Sequence, residues 1–418
     1  GLIILAGLIY LNNYLKDDSV ERTIFFICFI ISSSYIIARV SSNDIILIRR
    51  TKETRQQVGH YFSEKYEIFN NKRLPIIWVT IIDESHLSNQ KIVRIISWIT
   101  GHRRREFIQL TLLDRRGVFS LGPTIIKTGD PFGFFENTTT FNSIEKIVIL
   151  PAYVKMEHFI EPKGSISGGV ARKSRSTEVS PYAVSVRDYI TGDPLRRIDW
   201  KSTARLEKIM VKEFEEDPQS TVWVFLDSNA ENVYESKNIH IWNSYIDPLM
   251  RKNNYEYEYW FRDSFEHEIS LAASVIDFYI SNNRYVGFYS NNKKMVSISP
   301  EGGVRQMDKV LELLATINPT YDQTLADVIL SQKNQLGNES TIIIIVSKIN
   351  NDLLESIKQI QQKDLSIIVI TIDPNSYDRN INLSETTLLL NLLGVKVITV
   401  KNGHSLNEYL QEQSYISS

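Results

Sequence analysis

The sequence predicts a multidomain protein: an N-terminal transmembrane helical hairpin, an all-β sandwich, and a C-terminal α/β domain built on a largely parallel sheet. Three observations predict it. Two uncharged apolar runs open the chain. Short strand-like runs separated by turn residues fill the middle. Near-continuous apolar runs then alternate with amphipathic helical patterns. The expected divisions are 1–40 (hairpin), 41–160 (sandwich), 161–220 (linker and a charged segment) and 221–418 (α/β). A chain of 418 residues is long enough for each of the larger parts to bury its own core.

The hairpin comes first. Residues 23–38, "TIFFICFIISSSYIIA", carry no charge, and Arg39 ends the run. Extended slightly at both ends, a helix rising about 1.5 Å per residue is long enough to cross a bilayer. The preceding "GLIILAGLIYLNNYL" is also uncharged but shorter, and because the chain begins at Gly1 it is expected to have lost its beginning. The competing reading is a signal peptide followed by a buried helix. Arg39, Arg49, Arg50, Lys52 and Arg55 follow the second run, which predicts that the remainder is cytoplasmic.

In the middle, "DIILIRR", "KYEIFN", "IIWVTIID", "REFIQLTLLD" and "EKIVILP" read as strands. The stretches 70–75 and 115–123 read as turns, and "TGDPFGFFE" (128–136) as a loop whose aromatic residues plug the structure beneath it. Residues 161–180, rich in Gly, Ser and basic side chains, read as a mobile linker or surface loop.

The C-terminal half repeats an α/β rhythm. Apolar runs at 221–227, 285–290, 341–347, 365–373 and 395–400 alternate with helical faces. Those faces are Ile269/Ala272/Ala273/Ile276/Ile280, Met307/Val310/Leu311/Leu314 and Leu353/Ile357/Ile360. "YVGFYSNNKKMVSIS" adds a hairpin, hence one antiparallel edge strand. That combination suits a von Willebrand factor A-like domain. A nucleotide-binding α/β domain is disfavoured because no GxGxxG or GxxxxGK[ST] follows a strand.

Metal-binding A-like domains use a DxSxS strand end, a threonine and a further aspartate, since hard cations require oxygen ligands. Asp227 survives here, but Asn229 and Glu231 replace the serines, Thr324 offers the threonine, and Ser347 and Lys348 stand where the second aspartate belongs. No bound metal is expected. Composition narrows the function further. Lys plus Arg (47) and Asp plus Glu (49) nearly cancel, which argues against nucleic acid. Cys28 is the only cysteine, so no disulfide framework or CxxC zinc site exists, and the seven histidines show no ligand spacing.

The densest motif is "RDYITGDPLRRIDWKSTAR", from Arg187 to Arg205. Asp188, Asp193 and Asp199 are acid–base candidates, but no nucleophile–base pair accompanies them. Trp200 among Arg196, Arg197, Lys201 and Arg205 suggests base stacking, yet one aromatic is no platform and three aspartates repel phosphate. The favoured reading is a structural clasp or a docking surface; as a clasp, Asp193 would pair with at least one of Arg196, Arg197 and Arg205, and Trp200 would pack into the fold. Trp242, Tyr245, Tyr255, Tyr257, Tyr259 and Trp260, in the long segment 230–264, are equally partner contacts or plugs for their own domain.

This motif closely resembles the signature of the "domain of unknown function 58" family. There Arg-Xaa-Tyr-Xaa-Xaa-Gly-Asp precedes Arg-Xaa-Ile-Xaa-Trp and Ala-Arg, here Arg187, Tyr189, Gly192, Asp193, Arg197, Ile198, Trp200, Ala204 and Arg205. The resemblance extends to the paired N-terminal helices, the "GDPFGFF" stretch and the A-like end. It implies association with AAA+ ATPases of the MoxR type and an adaptor or assembly role. The expectation is therefore a membrane-anchored, non-enzymatic adaptor without a cofactor, bound to protein partners. Alternatives are a permanent accessory subunit of a membrane complex, and a hydrolase using the carboxylates around Asp193 and Asp199.

Overall fold

A computed structural model describes residues 18–41, 45–160, 183–190, 198–214, 221–235 and 261–403, with short breaks at 52, 88–91, 143–144, 293–294, 322, 338–339, 362–364, 380 and 382. The chain divides into two compact units, 1–152 and 153–418.

Among the described residues of the first unit, α1 (Asp18–Ser41) comes first. Its Arg22–Arg39 window, 18 residues with mean hydropathy 1.5, is long and apolar enough to cross a membrane. The first helix of the expected hairpin lies outside the described residues. Phe25, Phe26 and Phe29 are exposed, whereas Ser34 and Ala38 are buried by the rest of the unit.

Strands β1 (Ile45–Thr51), β2 (Arg55–Gln57), β3 (Tyr61–Asn70), β4 (Ile76–Asp83), β5 (Ile92–Ile99), β6 (Arg104–Leu112), β7 (Gly117–Leu121), β8 (Thr124–Gly129), β9 (Glu136–Phe141) and β10 (Glu145–Leu150) follow. They form sheets ordered β1-β3-β6, β2-β10-β7 and β5-β4-β8-β9. Ile68 of β3 meets Val79 and Ile81 of β4, Ile99 and Ile126 in one apolar cluster, so the first and last of these sheets share a core. A second cluster joins Phe62, Leu87, Leu113, Leu121, Ile147 and Ile149. The 115–123 turn is a correction: Gly117–Leu121 is β7, paired antiparallel with β10. Gly117 reads as a turn signal, but Gly117–Leu121 finds its partner in β10, a pairing that the local sequence does not display.

In the second unit, β11 (Ala183–Asp188), α2 (Trp200–Leu206) and β12 (Met210–Phe214) make a small ribbon with a short helix. Beyond it, β13 (Val222–Leu226), α3 (Ser264–Ser281), β14 (Val286–Ser290), β15 (Val296–Glu301), α4 (Val304–Thr316), α5 (Leu325–Gln332), β16 (Thr341–Val346), α6 (Asn351–Gln361), β17 (Ser366–Ile372), α7 (Ser384–Leu392) and β18 (Lys396–Val400) alternate. The sheet runs β15-β14-β13-β16-β17-β18. Only β15 in that order pairs antiparallel, as the hairpin reading predicts.

The central strands are buried along their whole length because helices cover them, which is why their sequences are continuous Val, Ile and Phe. The predicted faces of α3, α4 and α6 supply much of that cover. Trp223 lies opposite Gly287 in the ladder. A Cβ at Gly287 would sit 2.4 Å from the indole ring, so the ring occupies that space. Residues 153–160 also pack on α3: Tyr279 donates its hydroxyl to the Ile160 carbonyl at 2.7 Å, and Phe159 lies edge-on to Phe278 and Tyr279.

Candidate functional site

Two regions of the second unit gather the predicted site residues. The first is the ribbon. β11 pairs antiparallel with β12, setting Arg187 opposite Val211, and Ile198 adds a further bridge to Val211. The Tyr189 amide donates to the Ile209 carbonyl at 2.9 Å and the Asp199 amide to Met210 at 2.8 Å. Asp199 begins α2, its carboxylate accepting the Ser202 hydroxyl at 2.7 Å while its carbonyl accepts the Thr203 amide. The Thr203 hydroxyl oxygen in turn accepts the Met210 amide at 3.0 Å. Helix and strand are thus tied by short polar contacts, with Ile198, Met210 and Val211 buried beneath.

Trp200 does not join them. Its side chain is 69% exposed, a correction to the expectation that it packs into a clasp. The backbone around it is already satisfied by Asp199 and Thr203, so the indole is not needed to hold the ribbon. Ile190, Leu206 and Ile209 are also largely exposed, as are Lys201, Ala204, Arg205 and Lys208. Gly192, Asp193, Arg196 and Arg197 lie outside the described residues, as do Trp242, Tyr245, Tyr255, Tyr257, Tyr259 and Trp260. The ends of that long segment are closed by a Glu235–Asp263 bridge and by the Ser264 amide on the Tyr234 carbonyl at 2.8 Å.

The second region lies at the carboxyl ends of β13, β14 and β16. Asp227, 5% exposed, accepts the Asn229 amide at 3.0 Å, Asn291 Nδ2 at 3.0 Å and Asn232 Nδ2 at 2.7 Å. Asn291 is oriented by Ser228, whose backbone N–H donates to Asn291 Oδ1 at 2.6 Å, so Nδ2 must face Asp227 and the Gln323 carbonyl. Glu268 of α3 is fully enclosed and accepts a short hydrogen bond from Ser347. Burial holds the Glu268 carboxyl well above the usual carboxylate range, with the nearby Asp227 charge adding to it. Burial raises Asp227 too, opposed by its amide donors. Beside Glu268, burial lowers His267 to about 3. Its ring stacks on Phe261 at 4.5 Å and meets the Tyr377 hydroxyl at 3.3 Å.

This arrangement does not fit a divalent cation. Three N–H donors already point at the Asp227 carboxylate, where a metal needs free lone pairs, and its carboxyl neighbour Glu268 favours the protonated form. Thr324 is occupied as the N-cap of α5, bonding Asp327. Asn229 caps the turn at Ala230–Asn232 by accepting the Glu231 amide, Ser347 serves Glu268, and Lys348 is exposed. Among the described residues, no group of three or more His, Cys, Asp or Glu side chains is placed to hold a metal. Asn291, Asn232 and Glu268 escaped the sequence reading. The one available signal was the pair of asparagines directly after an apolar strand, in "FYSNN".

An apolar N-terminal helix, β-rich sheets and a mixed α/β sheet with a polar ribbon at its entry define a multidomain chain whose distinguishing surface is that ribbon. Residues 185–242 match the model of the family described as "Protein of unknown function DUF58". The Bacillus subtilis (strain 168) protein described as "Uncharacterized protein YeaD" is 27% identical over 120 residues, which is 29% of this chain and 30% of that protein. Less than a third of that relative's length is therefore matched. Among solved structures, a CARDB domain from Pyrococcus furiosus (7% identity, 26% of this chain, 88% of that one) gives a TM-score of 0.19. The sporulation control protein Spo0M from Bacillus subtilis (7% identity, 26% and 49%) gives 0.17. Likenesses so slight carry no argument.

Proposed function

We propose that the chain is a membrane-anchored adaptor or assembly factor, held by α1, with both soluble units cytoplasmic and the ribbon around Trp200 docking a protein partner. The observation that carries this reading is the exposure of Trp200, 69%, inside the segment that matches the family. Tryptophan is a strong anchor at protein interfaces. The strand order with its antiparallel edge supports reading the α/β unit as von Willebrand factor A-like. Asp227, closed by amides, then makes it a version that works without a metal. The family resemblance nominates an AAA+ ATPase of the MoxR type as partner. Basic residues after α1 support the cytoplasmic orientation.

Extraction in a mild detergent, followed by identifying what co-purifies in the presence and absence of ATP, tests this reading. A nucleotide-sensitive ATPase is the expected result. Stoichiometric membrane subunits indifferent to nucleotide would replace the adaptor with a permanent accessory subunit. Digestion of the soluble units by protease added to intact cells would refute the orientation.

A further inference from the structure

The sequence of the loop between β8 and β9, "DPFGFF" at 130–135, predicts that its aromatic side chains plug the structure beneath it. The loop does the reverse. Phe132 and Phe134 are 60% and 57% exposed, their rings stacked on each other at 6.0 Å. The loop that presents them is tightly built. The buried Asp130 carboxylate accepts the amides of Phe132 at 2.9 Å and Phe135 at 2.7 Å, while Trp78 Nε1 donates to the Asp130 carbonyl at 2.9 Å. Gly133 takes a left-handed φ of 76°, and Gly129 leaves room for the Phe135 carbonyl, which a Cβ would approach to 2.4 Å. The one charge within the loop is consumed in holding its shape, so the tip is purely apolar.

Its position beside α1 bears on what covers it. Phe135 meets Tyr35 of α1 edge-on, with centroids 5.5 Å apart, and Asn137 donates to the Ala38 carbonyl at 2.8 Å. Tyr35 precedes Arg39, the last residue of the apolar window, by about 6 Å of helix. The loop base is therefore fastened beside the final turns of the span, at the depth where aromatic side chains collect at a membrane–water interface. Tyr35 and Ile36, also exposed, extend the same apolar end.

We infer that Phe132 and Phe134 insert into the bilayer that α1 crosses, so that the first unit is held to the membrane at two points. This rests on reading α1 as a membrane span. A helix alone can turn in the bilayer with the unit attached to it, whereas a helix plus a rigid apolar wedge sets one face of the unit toward the lipid.

The test uses the full chain in vesicles of phosphatidylcholine and phosphatidylglycerol. One sample carries an environment-sensitive fluorophore on the native Cys28. Others carry it on Phe134→Cys or on Thr139→Cys, each in a Cys28→Ser background, Thr139 being an exposed residue of β9. The expected result is that the label at 134 is quenched by a lipid-borne nitroxide and shielded several-fold from aqueous iodide, unlike the label at 139. A water-exposed label at 134 with a lipid-exposed label at 28 would overturn the wedge alone. Both labels in water would defeat the span and the wedge together. A label at 134 shielded from both quenchers would mean that protein, a second copy or a partner, covers the loop, which also overturns the inference. Phe132→Cys provides a second position should Phe134→Cys fail to fold.

Discussion

Arg49→Ala should destabilise the β-rich unit by about 3–5 kcal/mol, the cost of stranding buried charges once their partner is gone. The Arg49 side chain is 4% exposed and reaches from β1 to both sheets that share the main core of that unit. Its Nε donates to Glu64 Oε1 at 2.7 Å, and its two terminal nitrogens grip the Asp83 carboxylate at 3.1 Å each. The guanidinium lies 5.3 Å from the Tyr66 ring, which in turn stacks on Phe107 at 5.0 Å. Burial lifts Glu64 from 4.5 to about 7, against the pull of Arg49, and Glu64 Oε2 has no hydrogen-bond partner, so a proton is readily accepted there. Because the folded value lies above the unfolded one, this contribution is complete below about pH 4.5 and lost as pH rises through about 7. The loss amounts to ~3 kcal/mol. Hydrogen exchange of β3 and β4 amides under denaturant, at mildly acidic and mildly alkaline pH, measures both effects. Glu64→Gln should flatten the pH dependence of this unit. If Arg49→Ala exchanged like the parent, the pair would not be structural.

Asn291→Ala should cost the α/β unit about 3–5 kcal/mol, because two buried groups and one part-buried carbonyl lose a partner, the buried ones at about 1–3 kcal/mol each. Those groups are the Ser228 amide, the Asp227 carboxylate and the Gln323 carbonyl. Magnesium should neither stabilise the parent nor rescue the variant. A ligand at a hundredfold excess over its dissociation constant would add about 2.7 kcal/mol, well within reach of thermal unfolding. A magnesium-dependent rise in melting temperature that disappears in Asp227→Ala would show that the amide-closed site opens to metal after all.

The α/β unit was the most legible part of the sequence, and for a plain reason. Strands buried on both faces must be apolar throughout, so "TIIIIV" and "SIIVITI" announce themselves, as do the helix faces that cover them. Strand β5 did not. It is an edge strand with Val93, Ile95 and Trp98 exposed, so its residues follow no in-and-out rule. Strand β9, "ENTTTF", is polar and reads as loop. The network around Asp227 was half legible: the departures from the metal pattern stand in the sequence, but Asn291 reaches Asp227 across 64 residues, and only the parallel pairing of β13 with β14 brings them together. Trp200, Phe132 and Phe134 misled in a common way. Large aromatic residues are buried far more often than displayed, so their exposure shows only in the fold.

That exposure makes Trp200→Ala the decisive comparison for a docking ribbon. The variant and the parent are each unfolded in denaturant and each assayed for the partner retained after mild detergent extraction. The docking account predicts unfolding within about 0.5 kcal/mol of the parent, as for an ordinary surface substitution, together with loss of the partner. A loss of about 3–5 kcal/mol, as for a buried aromatic, would restore the packed clasp. Normal stability with the partner fully retained would show that the ribbon is not where the partner binds.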